Sequence, residues 1–221
     1  MKGSPTQIRP IRPRLRADLD EHLAWYSANS LRTQGNADIG EGKKLALFCS
    51  KKCPSTLIMR THDLAHALRD AEITVISRFH SPVEQECLNV LLKGTQPLIA
   101  CPARGPEDMR VPASWRAPIQ QGRLLILSPF ERKHRRATIA LARKRNEFVA
   151  ALADAVFIAY ASAAGVTERL CRSALTSEKS LLTFKCPEND NLIRFGVEPV
   201  EEPPIDRFQA QHFSFHDSNE T

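Results

Sequence analysis

From Lys43 onward, six short apolar runs alternate with longer amphipathic segments, and this alternation restricts the fold more than any other feature. The runs are KLALFC (44–49), ITVIS (73–77), PLIAC (97–101), RLLILS (123–128), AVFIAYA (155–161) and SLLTFK (180–185). Between them lie LIMRTHDLAHALRDA (57–71), PVEQECLNVLLKG (82–94), PASWRAPIQQG (112–122), RRATIALARKRNEFVAALAD (135–154) and GVTERLCRSALTSE (165–178). A strand that is apolar throughout, rather than at every second residue, is buried on both faces. Linking such strands through helices requires a parallel sheet with crossover connections. The expected fold is α/β: a doubly wound, mostly parallel six-stranded sheet with helices on both faces.

Three segments are expected. Residues 1–42 form a basic N-terminal arm, a short helix over Asp18–Leu31 and a linker (QGNADIGEG), residues 43–200 form the α/β domain, and residues 201–221 form an acidic tail. With 42% hydrophobic and 25% charged residues the chain has an ordinary globular composition. It holds no apolar run of about 18 residues, so neither a membrane span nor a membrane partner is expected. The amino terminus is basic and lacks the apolar stretch of a signal peptide, which makes a cytoplasmic location the expectation. The six cysteines (49, 53, 87, 101, 171 and 186) form no CxxC pair and read as reduced, buried thiols.

The net charge of +6 is unevenly spread: residues 1–16 carry +5, residues 128–147 another +5, and residues 187–221 carry −6. Two basic patches suit a polyanion, although a charge run is as a rule a solvated face.

Sheets of this kind bind ligands at the carboxyl ends of their strands, near the point where strand order reverses. The loops expected there are SKKCPS (50–55), RFHSP (78–82), PARGPEDMR (102–110), PFERKHRR (129–136) and SAAGVT (162–167), a set rich in Ser, Lys, Arg and Pro. Several open directly into helices, whose first N–H groups suit phosphate oxygens. Ser50, Lys51 and Lys52 offer hydroxyl, amide and ammonium donors to a phosphate, and serve equally well to end a strand in solvent. Arg132, Lys133, Arg135 and Arg136 cluster at an expected helix entry, with Arg143, Lys144 and Arg145 two turns on, a stripe able to neutralise several phosphates.

Other chemistry lacks its signature. Neither GxGxxG nor GxxxxGK[ST] occurs, which removes dinucleotide and Walker-type nucleotide binding. HDLAH (62–66) has Asp63 where a zincin has glutamate and no third ligand, and no G-x-S-x-G elbow is present. No metal and no cofactor is expected.

The order of motifs between Lys43 and Val200 resembles the Rossmann-like domain of the DNA-processing protein A (DprA/Smf) family, related to the LOG proteins. RNEFVAALADAVFIAYASAAG (145–165) and NDNLIRFGVEPV (189–200) carry the resemblance. Arg145-Asn146 stands for the family's RN, and Asn191-Leu192-Ile193 with Gly196 for its last motif. Loops 50–55 and 77–84 fall where the family has GSR and SGxAxGID. The resemblance implies single-stranded DNA binding, recombinase (RecA) loading in natural transformation, and a homodimer. It places Ser50 and Lys51 in the first phosphate loop, and Ser77, Arg78, His80 and Ser81 in the second. Arg145 and Asn146 fall in the RN motif, and Gly165 and Thr167 at the fifth-strand turn. The chain departs from the pattern where Arg78 replaces glycine and where the first loop reads CSK.

A competing reading is a LOG-like phosphoribohydrolase that splits nucleoside monophosphates, with Arg145 and Glu168 as its catalytic pair. A third is a nucleotide-sensing module. Non-catalytic binding of single-stranded DNA, or of a nucleotide phosphate, is the favoured expectation, with Arg132, Arg135 and Arg136 extending the surface.

Overall fold

A computed structural model describes residues 31–107, 109–177, 179–202, 205, 206 and 208. The basic arm, the expected helix up to residue 30 and most of the acidic tail lie outside the described residues. Eight strands form one sheet: β1 (Arg32–Gln34), β2 (Leu45–Cys49), β3 (Val75–Ser77), β4 (Leu98–Ala100), β5 (Leu124–Ser128), β6 (Ala155–Tyr160), β7 (Ser180–Phe184) and β8 (Glu198–Val200). Their order is β1-β5-β4-β3-β2-β6-β7-β8. Every pairing is parallel except β1 with β5.

The six apolar runs become β2 to β7, and the strands β2, β3, β4 and β5 are buried at every position. The expectation of six strands is corrected to eight. The two additions are edge strands of three residues each, RTQ and EPV, too short and too polar to register as apolar runs. Pro199 fits β8 because an edge strand leaves one row of amides unpaired. Leu31 and Ile39, read from sequence as lead-in and linker, are buried in the same core as the sheet.

Helices α1 (Ser55–Asp70), α2 (Pro82–Leu91) and α3 (Ala113–Gln120) follow β2, β3 and β4 and cover one face. Helices α4 (Ile139–Leu152), α5 (Val166–Ala174) and the short α6 (Asp190–Arg194) cover the other. The chain thus winds outward from β2 through β3, β4 and β5, then returns to β6 on the opposite side of β2. Strand order reverses between β2 and β6, and the loops leaving their carboxyl ends part toward opposite faces.

Local chemistry sets the helix ends. Ser81 accepts from Glu84 N–H while Glu84 accepts from Ser81 N–H, a capping box with Pro82 in the first turn of α2. Thr138 caps α4. The lead helices at the reversal point, α1 and α5, begin after Pro54 and Gly165 and have no side-chain cap, which leaves their first amides open.

All six cysteines are unpaired. His62 and His66 meet edge to face on α1, 4.7 Å between centroids. Among the described residues no helix is long and apolar enough to cross a membrane.

Candidate anion-binding edge of the sheet

The parallel ladder between β2 and β3 registers only Leu45 with Val75 and Ala46 with Ile76, whereas β2 and β6 stay paired as far as Cys49 and Tyr160. Beyond Ala46 the β3 side of β2 would therefore expose buried backbone groups, a cost unless partners are found. Side chains supply them. Ser77 Oγ donates to Leu47 O at 2.8 Å, Arg78 Nη2 donates to Cys49 O at 2.7 Å, and Cys49 N–H donates to Glu84 Oε1 at 2.9 Å. On the other side, Ser50 N–H donates to Tyr160 O at 2.9 Å and Ser162 N–H to Ser50 Oγ at 3.1 Å. Ser50 thus ties together the two loops at the reversal point.

Glu84 is the hub. Its carboxylate is fully buried and accepts from the N–H groups of Cys49, His80 and Ser81 and from Arg78 Nε at 2.8 and 3.0 Å. The Arg78 side chain is itself only 9% exposed, so this is a buried ion pair. Arg78 fills the position where the resemblance expects glycine, and instead of backbone approaching a ligand, a guanidinium crosses to the end of β2. Phe79, next along, holds a left-handed φ of 45°, and Ala164 in the loop after β6 holds 55°. Strain of this kind, about 1–3 kcal/mol per residue, persists where the surroundings impose it.

Arg145 enters from α4. It is 4% exposed and bonds only neutral acceptors, Cys101 O at 3.0 Å and Asn146 Oδ1 at 2.8 Å. No carboxylate among the described residues pairs with it. Burial, and after it the nearby Arg78, push its pKa down to about 10. His80 is lowered from its ordinary value by partial burial, then by Lys51, Arg145 and Arg78, with Glu84 pulling weakly the other way. These mutual effects place Lys51, Arg78, His80 and Arg145 in one field: three cations and a histidine against one carboxylate.

The other expected site residues take different places. Ser77 and Ser81 are buried and serve the strand end and the helix cap. Asn146 is buried and orients Arg145. Thr167 and Glu168 are buried in the first turn of α5. Glu168 accepts from Asn191 Nδ2, which also donates to Ala161 O, and it makes no contact with Arg145. Asn189 Nδ2 likewise donates to Ala159 O, so the two asparagines cover the end of β6 where β7 turns away. Gly196, at φ +98°, ends the turn after α6, which makes the NLI…G segment architectural.

A Cβ on Gly165 would lie 2.7 Å from Ser162 O. Gly165→Ala is expected to open the turn after β6 and lower the melting temperature by several degrees, as overpacking against fixed backbone does; a thermal melt followed by circular dichroism measures it.

The expected basic stripe on a helix is corrected. Arg132, Arg135 and Arg136 lie exposed in the loop after β5, because Thr138 starts α4 at Ile139. This loop packs on the loop after β4 through Gly105 N–H to His134 O at 3.0 Å, and two strands separate β5 from β2.

These features describe a doubly wound α/β protein whose cations gather at the carboxyl edge of β2, β3 and β4, beside the point of strand reversal. The family model for DNA recombination-mediator protein A matches residues 22–195, and the chain belongs to that family. In fold it is similar to DNA processing protein A (DprA) from Streptococcus pneumoniae, with a TM-score of 0.69, 18% identity, and 92% of this chain and 74% of that one covered. It is similar also to DNA processing protein A from Helicobacter pylori, a protein described for its single-stranded DNA binding mode (TM-score 0.66, 17% identity, 96% and 94% covered). A molybdenum cofactor carrier protein from Chlamydomonas reinhardtii shares the fold more distantly (TM-score 0.55, 10% identity, 77% and 98% covered). Comparison with curated protein sequences gives no match.

Proposed function

We propose that this chain binds single-stranded DNA through its phosphates at the carboxyl edge of β2, β3 and β4, without catalysis, and delivers it to a RecA-type recombinase. The observation that carries the reading is Arg145, a buried guanidinium held by neutral acceptors, with no carboxylate paired to it among the described residues. A buried cation is costly unless an anion compensates it, and a DNA phosphate would do so. Lys51 on the rim and the uncapped start of α1 would add donors along the same strand. Contacts of this kind act on the backbone and not on base edges, which suits sequence-independent binding. Family membership supports the DNA-processing role. Glu168, the acid that a hydrolase would need, is engaged by Asn191 and apart from Arg145.

A filter-binding titration of oligo-dT over a range of salt concentrations tests the reading, with a base-release assay on nucleoside monophosphates beside it. Affinity falling linearly on a log–log plot is the expected result. Salt-independent binding, or release of free base, would overturn it.

His80 adds a pH dependence. Its lowered pKa means that the free fold disfavours protonation, so its contribution to stability declines as pH falls below about 6.5. A bound phosphate reverses the local sign and favours the protonated ring, so binding takes up a proton. Oligo-dT affinity is expected to rise as pH drops from about 7 to about 5.5, and His80→Asn to flatten that rise. An equal rise in the variant would remove His80 from the site.

A further inference from the structure

Glu84 belongs to none of the residues that suggested the site, yet more of the site's donors converge on it than on any other group. A capping box needs only its bond to the helix N-cap. Here the carboxylate does more: Oε1 takes the amide of Cys49 at the end of β2, and both oxygens lie within 3.0 Å of Arg78 Nε. Arg78 Nη2 is spent on Cys49 O, and Nη1 makes no hydrogen bond among the described residues. Two guanidinium groups close enough to repel each other thus face one carboxylate, which hydrogen-bonds Arg78 and reaches Arg145 only through its field.

We propose that Glu84 is an internal counter-anion: it occupies at Arg78 the place that a ligand phosphate would take, holds the guanidinium against the end of β2, and leaves Arg145 as the uncompensated cation. Glu84 is in this sense a positioning residue that limits affinity. Arg78 and Arg145 together then offer an entering phosphate one net charge instead of two, which favours release of the strand. The inference rests on the phosphate-binding reading above. A purely architectural ion pair would hold the loop in place and leave the affinity and salt slope of the folded protein unaffected.

Glu84→Gln tests it, since the amide keeps an acceptor oxygen and loses the charge. Oligo-dT is expected to bind the variant several-fold more tightly at low salt, with a log–log salt slope steeper by about 0.7, the increment for one further phosphate on a single strand. In the protein without DNA, the His80 titration followed by NMR should move further below its ordinary value, because the carboxylate that opposes Lys51, Arg78 and Arg145 is gone. A folded variant with the wild-type affinity and salt slope overturns the proposal, whatever its His80 midpoint.

If Glu84→Gln does not fold, the comparison of Arg78→Gln with the double variant Arg78→Gln/Glu84→Gln decides. The single change leaves a bare carboxylate facing the phosphate, and removing it should recover several-fold in affinity. A double variant that binds no more tightly than Arg78→Gln sinks the idea. Should the wild-type protein show no salt-dependent binding, the functional reading fails, while the DNA-free His80 shift still reports whether Glu84 sets the charge of this edge.

Discussion

Replacing Arg145 with methionine is expected to weaken oligo-dT binding roughly 10–100-fold and to leave the melting temperature unchanged or raised. The first figure follows from losing a charge-assisted hydrogen bond of about 1.5–3 kcal/mol. The second follows from burial. The guanidinium is 4% exposed, and its pKa of about 10 records a charge that the folded protein holds at a cost. Methionine fills a similar volume without a charge to desolvate, at the loss of the bonds to Cys101 O and Asn146 Oδ1. A structural arginine would behave the other way, with stability falling and binding following only through unfolding. Titration of oligo-dT beside a thermal melt of the same preparation separates the two. A lowered melting point with unchanged affinity for the folded fraction would assign Arg145 to the scaffold.

Glu84→Ala is expected to give the largest loss of stability among these variants, about 3–5 kcal/mol, the usual result of removing one partner of a buried ion pair. For a chain of this size that lowers the melting temperature by roughly 10 °C. Three amides, those of Cys49, His80 and Ser81, lose an acceptor together, and Arg78 keeps its charge with 9% of its side chain exposed. The loss should be much larger than that from Ser81→Ala, which removes only the other half of the cap, about 1 kcal/mol. Chemical denaturation of the three proteins gives both numbers. A Glu84→Ala protein within 1 kcal/mol of wild type would show that the carboxylate is not the clasp between β2 and α2.

Much of this site had a local signature. Ser81-Pro82-Val83-Glu84 is a capping-box sequence with proline in the first turn, legible without a structure as a helix start. What the spacing does not show is that the same carboxylate reaches back 35 residues to Cys49 N–H. Arg78 illustrates the limit further. Its side chain stands where the resemblance expects glycine, and sequence alone offers it as a direct phosphate ligand, whereas in the fold Glu84 has already taken its charge. Arg132, Arg135 and Arg136 have the spacing to share a helix face with Arg143, but Thr138 starts α4 only after them, by accepting from Leu141 N–H.

The sequence by itself determined the doubly wound sheet, because strands buried on both faces must be apolar at every position and amphipathic helices must cover them. It also placed Arg145-Asn146 in a motif and the family with it. Tertiary structure alone decided which cations remain uncompensated, since burial and pairing are set by contacts between distant segments: Cys101 with Arg145, Cys49 with Glu84. It decided the edges as well. β1 and β8 are strands because β5 and β7 offer them unpaired backbone, and three residues such as RTQ or EPV carry no period of their own.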